Sequence, residues 1–281
     1  MRYIDAFNHF NPKRYFDELL LSPSGQKDIG KRVRGIPALY DLDLRKKVVE
    51  QFPDYTQVLS LGLPMIERLW GPDKSPEMAK IANDGLAEVV AKNPDHFVGY
   101  SATLPMNNPD AAAKEAERAL KNGANAVQIG TNANGGPIDG KEFWPIYEVI
   151  EKSGKPILLH PARSIDHWDY PSEKDSKFII WQVFGWPYET STTMAHMVFE
   201  GLFDRHPDIK IVTHHMGGMI PYFEGRVGPG WDQLGTRTTD EDYTKIGKAM
   251  KSKGKRPIDY FRNFYADTAL FGARSEEHTS E

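Results

Sequence analysis

The sequence predicts an α/β fold, a parallel (β/α)8 TIM barrel lacking its last β/α unit. Three observations carry that reading. Short apolar runs rich in Val, Ile, Phe, Tyr and Thr alternate with amphipathic stretches along the 281 residues, as expected where strands are buried on both faces beneath covering helices. Seven such runs can be counted, one fewer than a closed barrel of this type uses. No change in composition splits the chain, and a barrel of roughly 250 residues forms as a single domain.

Taken in order, the strand candidates are residues 3–7, 56–63, 97–104, 125–131, 156–160, 209–215 and 264–270. Helices are predicted between them. Residues 77–92 start just after Pro76 and carry a helical apolar rhythm. In 109–122, Asn108 can cap, Pro109 can occupy the first helical position and Gly123 can close the end. Residues 143–153 end in the same way at Gly154, and 190–204 carry Met194, Met197, Val198 and Leu202 on a longer helix. The polar, aromatic-rich stretch 163–187 reads as an insertion in a βα loop, and the Gly-rich, basic stretch 228–257 as a connection over one rim. Residues 1–273 are therefore expected to form a single, incomplete barrel domain. Residues 274–281, RSEEHTSE, fit neither a strand nor a barrel helix. They read as a non-native tail, of the kind translated sequencing-adapter read-through produces, or as a disordered natural one.

Composition narrows the chemistry. Lys and Arg total 35 against 39 Asp and Glu, a net charge of −4, which offers no surface for nucleic-acid phosphates. No apolar run reaches the roughly 18 residues of a membrane span, and Met1 leads into charged residues rather than a signal-peptide core. There is no Cys, so disulfides, thiolate metal sites and cysteine nucleophiles are excluded. A cytoplasmic protein is expected, working through His, carboxylates, hydroxyls or a bound ion.

In a parallel barrel the working groups stand at the C-terminal ends of the strands. Of nine His, His9 ends the first strand, His160 the fifth, and His214 with His215 the sixth. Strand alternation places Asp5, Phe7 and His9 on one face, and Ile211, Thr213 and His215 on another. His215 is thus the inward candidate, with His214 turned toward the helices. His167, Trp181 and Trp186 lie in the insertion and could close over the mouth. His96, His196, His206 and His278 fall away from strand ends. Gly217 and Gly218 precede a predicted helix at 219–226, a turn whose N–H groups would suit a carboxylate. Asp267 ends the seventh strand, where a buried carboxylate needs a partner; it joins His215 as a candidate catalytic residue.

Several motifs occur together in this order: Ile4-Asp5-x-Phe7-x-His9, Leu159-His160-Pro161, Val212-Thr213-His214-His215-Met216-Gly217-Gly218, and Tyr265-x-Asp267-Thr268. The set resembles the amidohydrolase-2 branch of the amidohydrolase superfamily, which includes aminocarboxymuconate-semialdehyde and γ-resorcylate-type decarboxylases. The resemblance implies one divalent ion, Zn²⁺ or Mn²⁺, held by a His-x-His pair on strand one, a His on strand five and an Asp on strand eight. By that likeness His9 and His160 are metal ligands and His215 is the acid/base. Phe7 stands where the pair's first His belongs, and the strand-eight Asp has no counterpart, so a weak or absent metal is expected in this chain. The implied reaction is non-oxidative decarboxylation of a small unsaturated or aromatic carboxylic acid, with Gly217, Gly218, Trp186 and His167 around the substrate. Metal-dependent hydrolysis of a lactone or amide, and an inactive binding relative, are the alternatives. A homo-oligomer with no nucleic-acid or membrane partner is also implied.

Overall fold

The computed structural model describes residues 3–237 and 241–269. Seven strands form one sheet in chain order: β1 Tyr3–His9, β2 Tyr55–Ser60, β3 Phe97–Thr103, β4 Ala126–Gly130, β5 Ile157–His160, β6 Ile211–Thr213 and β7 Phe264–Ala266. Every neighbouring pair is parallel, and the sheet curls as a partly closed barrel. All seven predicted strands are present. The expected lack of an eighth unit, and the tail at 274–281, lie outside the described residues.

Twelve helices are assigned among the described residues. They are α1 Lys13–Leu21, α2 Asp28–Arg34, α3 Leu42–Val49, α4 Ile66–Leu69, α5 Ser75–Lys92, α6 Pro109–Lys121, α7 Trp144–Ser153, α8 Ile180–Val183, α9 Gly185–Phe199, α10 Leu202–Arg205, α11 Glu224–Trp231 and α12 Glu241–Ser252. None is long and apolar enough to cross a membrane. The predicted α6 forms as the sequence dictates: Asn108 accepts from the Ala111 N–H at 3.2 Å, and Pro109 occupies the first turn. Gly154 ends α7 in the left-handed conformation that lets the chain turn into β5.

Two predicted helices differ. The stretch 190–204 is two helices, because Gly201 takes a φ of +77° between α9 and α10. Moreover, α9 begins at Gly185, so the insertion after β5 is shorter than read. The helix predicted at 219–226 starts only at Glu224. His215, Met216, Gly217 and Gly218 all have positive φ, and four such residues in succession turn the chain instead of entering a right-handed helix.

The core has two layers. Ile129, Ile157, Leu159 and Ile211 face outward into helices α6, α7 and α9, where Ile146, Met194 and Met197 meet them. A small inner cluster of Phe7, Ala126 and Leu158, with Val212 packed on it, fills the inside of the curl. That inner plug is the floor on which the strand-end histidines stand.

Candidate active site

Beyond the plug, His9, His160 and His214 each offer a ring nitrogen, and these atoms all lie within 4.8 Å of one another. The ring centroids are 5.0 Å apart for His9 and His160, 4.7 Å for His160 and His214, and 5.7 Å for His9 and His214. Each ring is held from behind. The His160 Nδ1–H donates to the Pro161 carbonyl at 2.8 Å, and His214 Nδ1 pairs with Asp267 Oδ2. His9 Nδ1 meets Ser60 Oγ at 3.1 Å, and that hydroxyl in turn donates to the Asn8 carbonyl. An imidazole anchored through Nδ1 has Nε2 to offer, which is how metal-binding histidines are oriented.

Burial keeps the His9 and His160 rings neutral. Burial, and then the neighbouring His214, push the His9 imidazole down to about 3. Burial, then His214 and His9, hold His160 well below its ordinary value. Neutral imidazole is the form that binds a divalent ion. Asp267 is drawn below the usual carboxylate range: burial would raise it, but its hydrogen bond with His214, the His214 charge and the Ala269 and Met216 N–H groups outweigh that. Three nitrogen donors in reach of one another suit Zn²⁺ or a similar divalent ion, so the donor set present fits such a group.

The inward partner on β6 is not the one that alternation selected. Val212 packs on the inner plug and Ile211 in the outer helical core; His214 therefore shares the inward face with Val212. Counting alternation outward from Ile211 inverted the phase, because the sequence alone does not say which of two adjacent apolar residues faces the helices. His215 still reaches the site. Its φ of +59° bends it back, placing its ring 4.0 Å from His214 and 6.2 Å from His160 by centroid. Its Nδ1–H donates to the Ala269 carbonyl at 2.7 Å, and its ring stacks on Trp186 at 5.9 Å. Burial, then His214, lower its pKa. The signal that could have found His214 was the doublet itself: a strand ending in two His can present both only if the backbone leaves the extended form.

Phe7 occupies the inner face beside all three rings, 4.3 Å from His214 and 5.9 Å from both His9 and His160. It supplies an apolar wall where the family pattern has a ligand. His214 supplies the third nitrogen instead.

A cavity of about 520 Å³ adjoins this cluster. Trp186 belongs to both: it lines the cavity, meets His160 edge-on at 5.8 Å, and donates from Nε1 to the Arg163 carbonyl at 2.9 Å. His167 and Trp181 line the cavity, as do Arg163 and Glu67, which sequence reasoning missed. Glu67 was legible only as a charge inside the apolar segment Met65-Ile66-Glu67. Gly217 and Gly218 do not line it. Gly218 lies against α9, where a Cβ would come 2.6 Å from the Pro187 carbonyl oxygen, so the turn serves packing here. His96, His196 and His206 lie apart, paired with Glu50, Asp139 and Glu151 at 2.9, 2.8 and 2.9 Å; His278 is outside the described residues.

The amidohydrolase family profile matches residues 4–273. The chain belongs to the amidohydrolase family. This amidohydrolase is 30% identical over 239 residues to γ-resorcylate decarboxylase of Polaromonas sp., a match taking in 81% of the chain and 68% of that relative. It is 32% identical over 206 residues to 2-amino-3-carboxymuconate-6-semialdehyde decarboxylase of Dictyostelium discoideum, over 72% of the chain but only 55% of that protein's length. A dihydroxybenzoic acid decarboxylase from Polaromonas sp., solved with bound manganese and the inhibitor 2-nitroresorcinol, has a TM-score of 0.69 at 27% identity, over 95% of this chain and 78% of its own. The amidohydrolase thus shares its barrel with carboxy-lyases, one of them a manganese protein.

Proposed function

We propose that this amidohydrolase is a metal-dependent, non-oxidative decarboxylase of a small aromatic or unsaturated carboxylic acid. The observation that carries the reading is the convergence of His9, His160 and His214, each anchored through Nδ1, beside a cavity of about 520 Å³. The decarboxylase relatives support it. His9, His160 and His214 would hold the ion, Mn²⁺ or Zn²⁺; when bound, it supplies Lewis-acid charge that orients the substrate's carboxylate and a neighbouring oxygen.

The chain's own residues do the rest. Among the described residues the Arg163 guanidinium hydrogen-bonds only to the His167 carbonyl, at 3.5 Å, so it favours an anion in the cavity. Trp186 gives the ring of the acid a flat apolar face. His215, oriented by the bond from its Nδ1–H to Ala269 and by its stacking on Trp186, takes a proton from a substrate hydroxyl or from water as the acid/base. It returns that proton to the carbon bearing the carboxylate; the C–C bond breaks, its electron pair forms the new C–H bond, and CO₂ leaves. Asp267 acts as a positioning residue through His214. His167 borders the bound acid, while Gly217 and Gly218 shape the turn that brings His215 back.

The test is CO₂ release from γ-resorcylate by the purified chain supplied with Mn²⁺ or Zn²⁺. Release that is lost on chelation, and in a folded His215→Ala variant, is expected. Ring opening of lactones without CO₂ release from any aromatic acid would replace this reading with the hydrolase.

A further inference from the structure

The cavity wall holds a buried group that the chemistry above does not use. Glu67, in α4, is 5% exposed, and its Oε1 has no hydrogen-bond partner among the described residues. A buried carboxylate oxygen left this way costs free energy that a bound donor would return. The Tyr15 hydroxyl is likewise buried without a partner. Burial, and after it the Glu67 charge, keep that phenol protonated. Elsewhere in the wall, Arg68 is paired with Asp166, and Arg163 and Lys27 are the further cations that favour an acid.

Position matters as much as chemistry. Glu67 comes from the loop region after β2, whereas Pro161 and Trp186 come from the segment after β5, next to His160. An acid in this cavity therefore meets Pro161 and Trp186, the neighbours of His160, at one wall and Glu67 at another. We propose that Glu67 is a specificity-determining residue, accepting a hydrogen bond from a hydroxyl substituent on the ring of an acid whose carboxylate end lies toward His160 and Trp186. This rests on the carboxylic-acid reading above and adds to it the selection of a donor-bearing ring.

Trp181 and Trp186 line the same cavity, so quenching of tryptophan fluorescence reports binding directly. The Mn²⁺-supplied chain would be titrated with 3- and 4-hydroxybenzoate, their methoxy counterparts and benzoate, as wild type, Glu67→Leu and Glu67→Gln. In the wild type at pH 8, above the value of about 7 to which burial raises the Glu67 carboxyl, one hydroxy acid should bind about tenfold more tightly than its methoxy partner, the scale of a hydrogen bond to a charged acceptor. Glu67→Leu should bring that ratio to about one, and Glu67→Gln should keep part of it, because the amide oxygen still accepts. No preference in the wild type, or a preference unchanged in folded Glu67→Leu, overturns the proposal and leaves Glu67 and Tyr15 sharing buried water. If Glu67→Leu does not fold, the wild-type and Glu67→Gln ratios decide. CO₂ release followed in parallel separates the two readings: preference without release defeats the decarboxylase, and release with an unmoved preference defeats the role of Glu67.

Discussion

Asp267 touches no cavity wall, yet the site depends on it. One carboxylate oxygen holds His214 Nδ1, and the other accepts from the Met216 and Ala269 N–H groups at 3.4 and 3.1 Å. It therefore fixes both the tautomer and the direction of a candidate ligand. Asp267→Asn should weaken Mn²⁺ or Zn²⁺ binding by roughly 10- to 100-fold while the far-ultraviolet circular dichroism stays unchanged; isothermal titration with the metal measures it. Affinity equal to wild type would remove Asp267 from the site. Glu67 shows the opposite electrostatic logic. Burial pushes its carboxyl up to about 7, above its ordinary 4.5, so the folded state holds a proton the unfolded chain has lost. Its contribution is intact below pH 4.5 and is lost as pH rises through 7. Glu67→Gln should therefore gain stability relative to wild type on going from pH 5 to pH 8, by up to about 3 kcal/mol, read from urea melts at the two pH values.

At the scale of elements, strands were easier to read than the turns that end them. Each predicted strand start falls within two residues of the observed one, because a buried parallel strand is an uninterrupted apolar run and Gly or Pro flanks it. Facing was harder. Ile211 and Val212 are both apolar, and only packing against α9 decides which one turns outward; that choice carried His214 to the inside. The turn after β6 was misread for a related reason. Two glycines resemble a helix-entry loop, but here Met219 N–H and the Pro187 carbonyl are both bound by Ser191 Oγ, each at 2.7 Å, and the turn is stitched to α9. Gly218→Ala should cost roughly 1–3 kcal/mol, since it adds a Cβ 2.6 Å from Pro187 O at a φ of +64°. Thermal melting against wild type tests this, with an unchanged melting temperature as the contrary result. Arg163 was not legible and Glu67 only as a charge within an apolar segment, because their shared cavity leaves no periodic trace.

For the molecule as a whole, the buried histidines set an acid limit. With His9 held at about 3 and His160 and His215 also lowered, the unfolded chain binds more protons than the folded one below about pH 6.5. Stability of the metal-free protein is therefore complete above that value and falls as pH drops toward 3, the reverse of the Glu67 trend. Melting temperatures of chelator-treated protein should decline from pH 7 to pH 5; a flat profile would show that the rings are hydrated rather than dry.

The histidines that meet at the rim come from β1, β5 and the end of β6, so they are made at widely separated times. During synthesis His9 emerges first and must wait, with Phe7 beside it, until His214 has left the ribosome. Any cation captured there would be taken up only after β6 has formed, and would tie β1 to the end of β6 across the sheet.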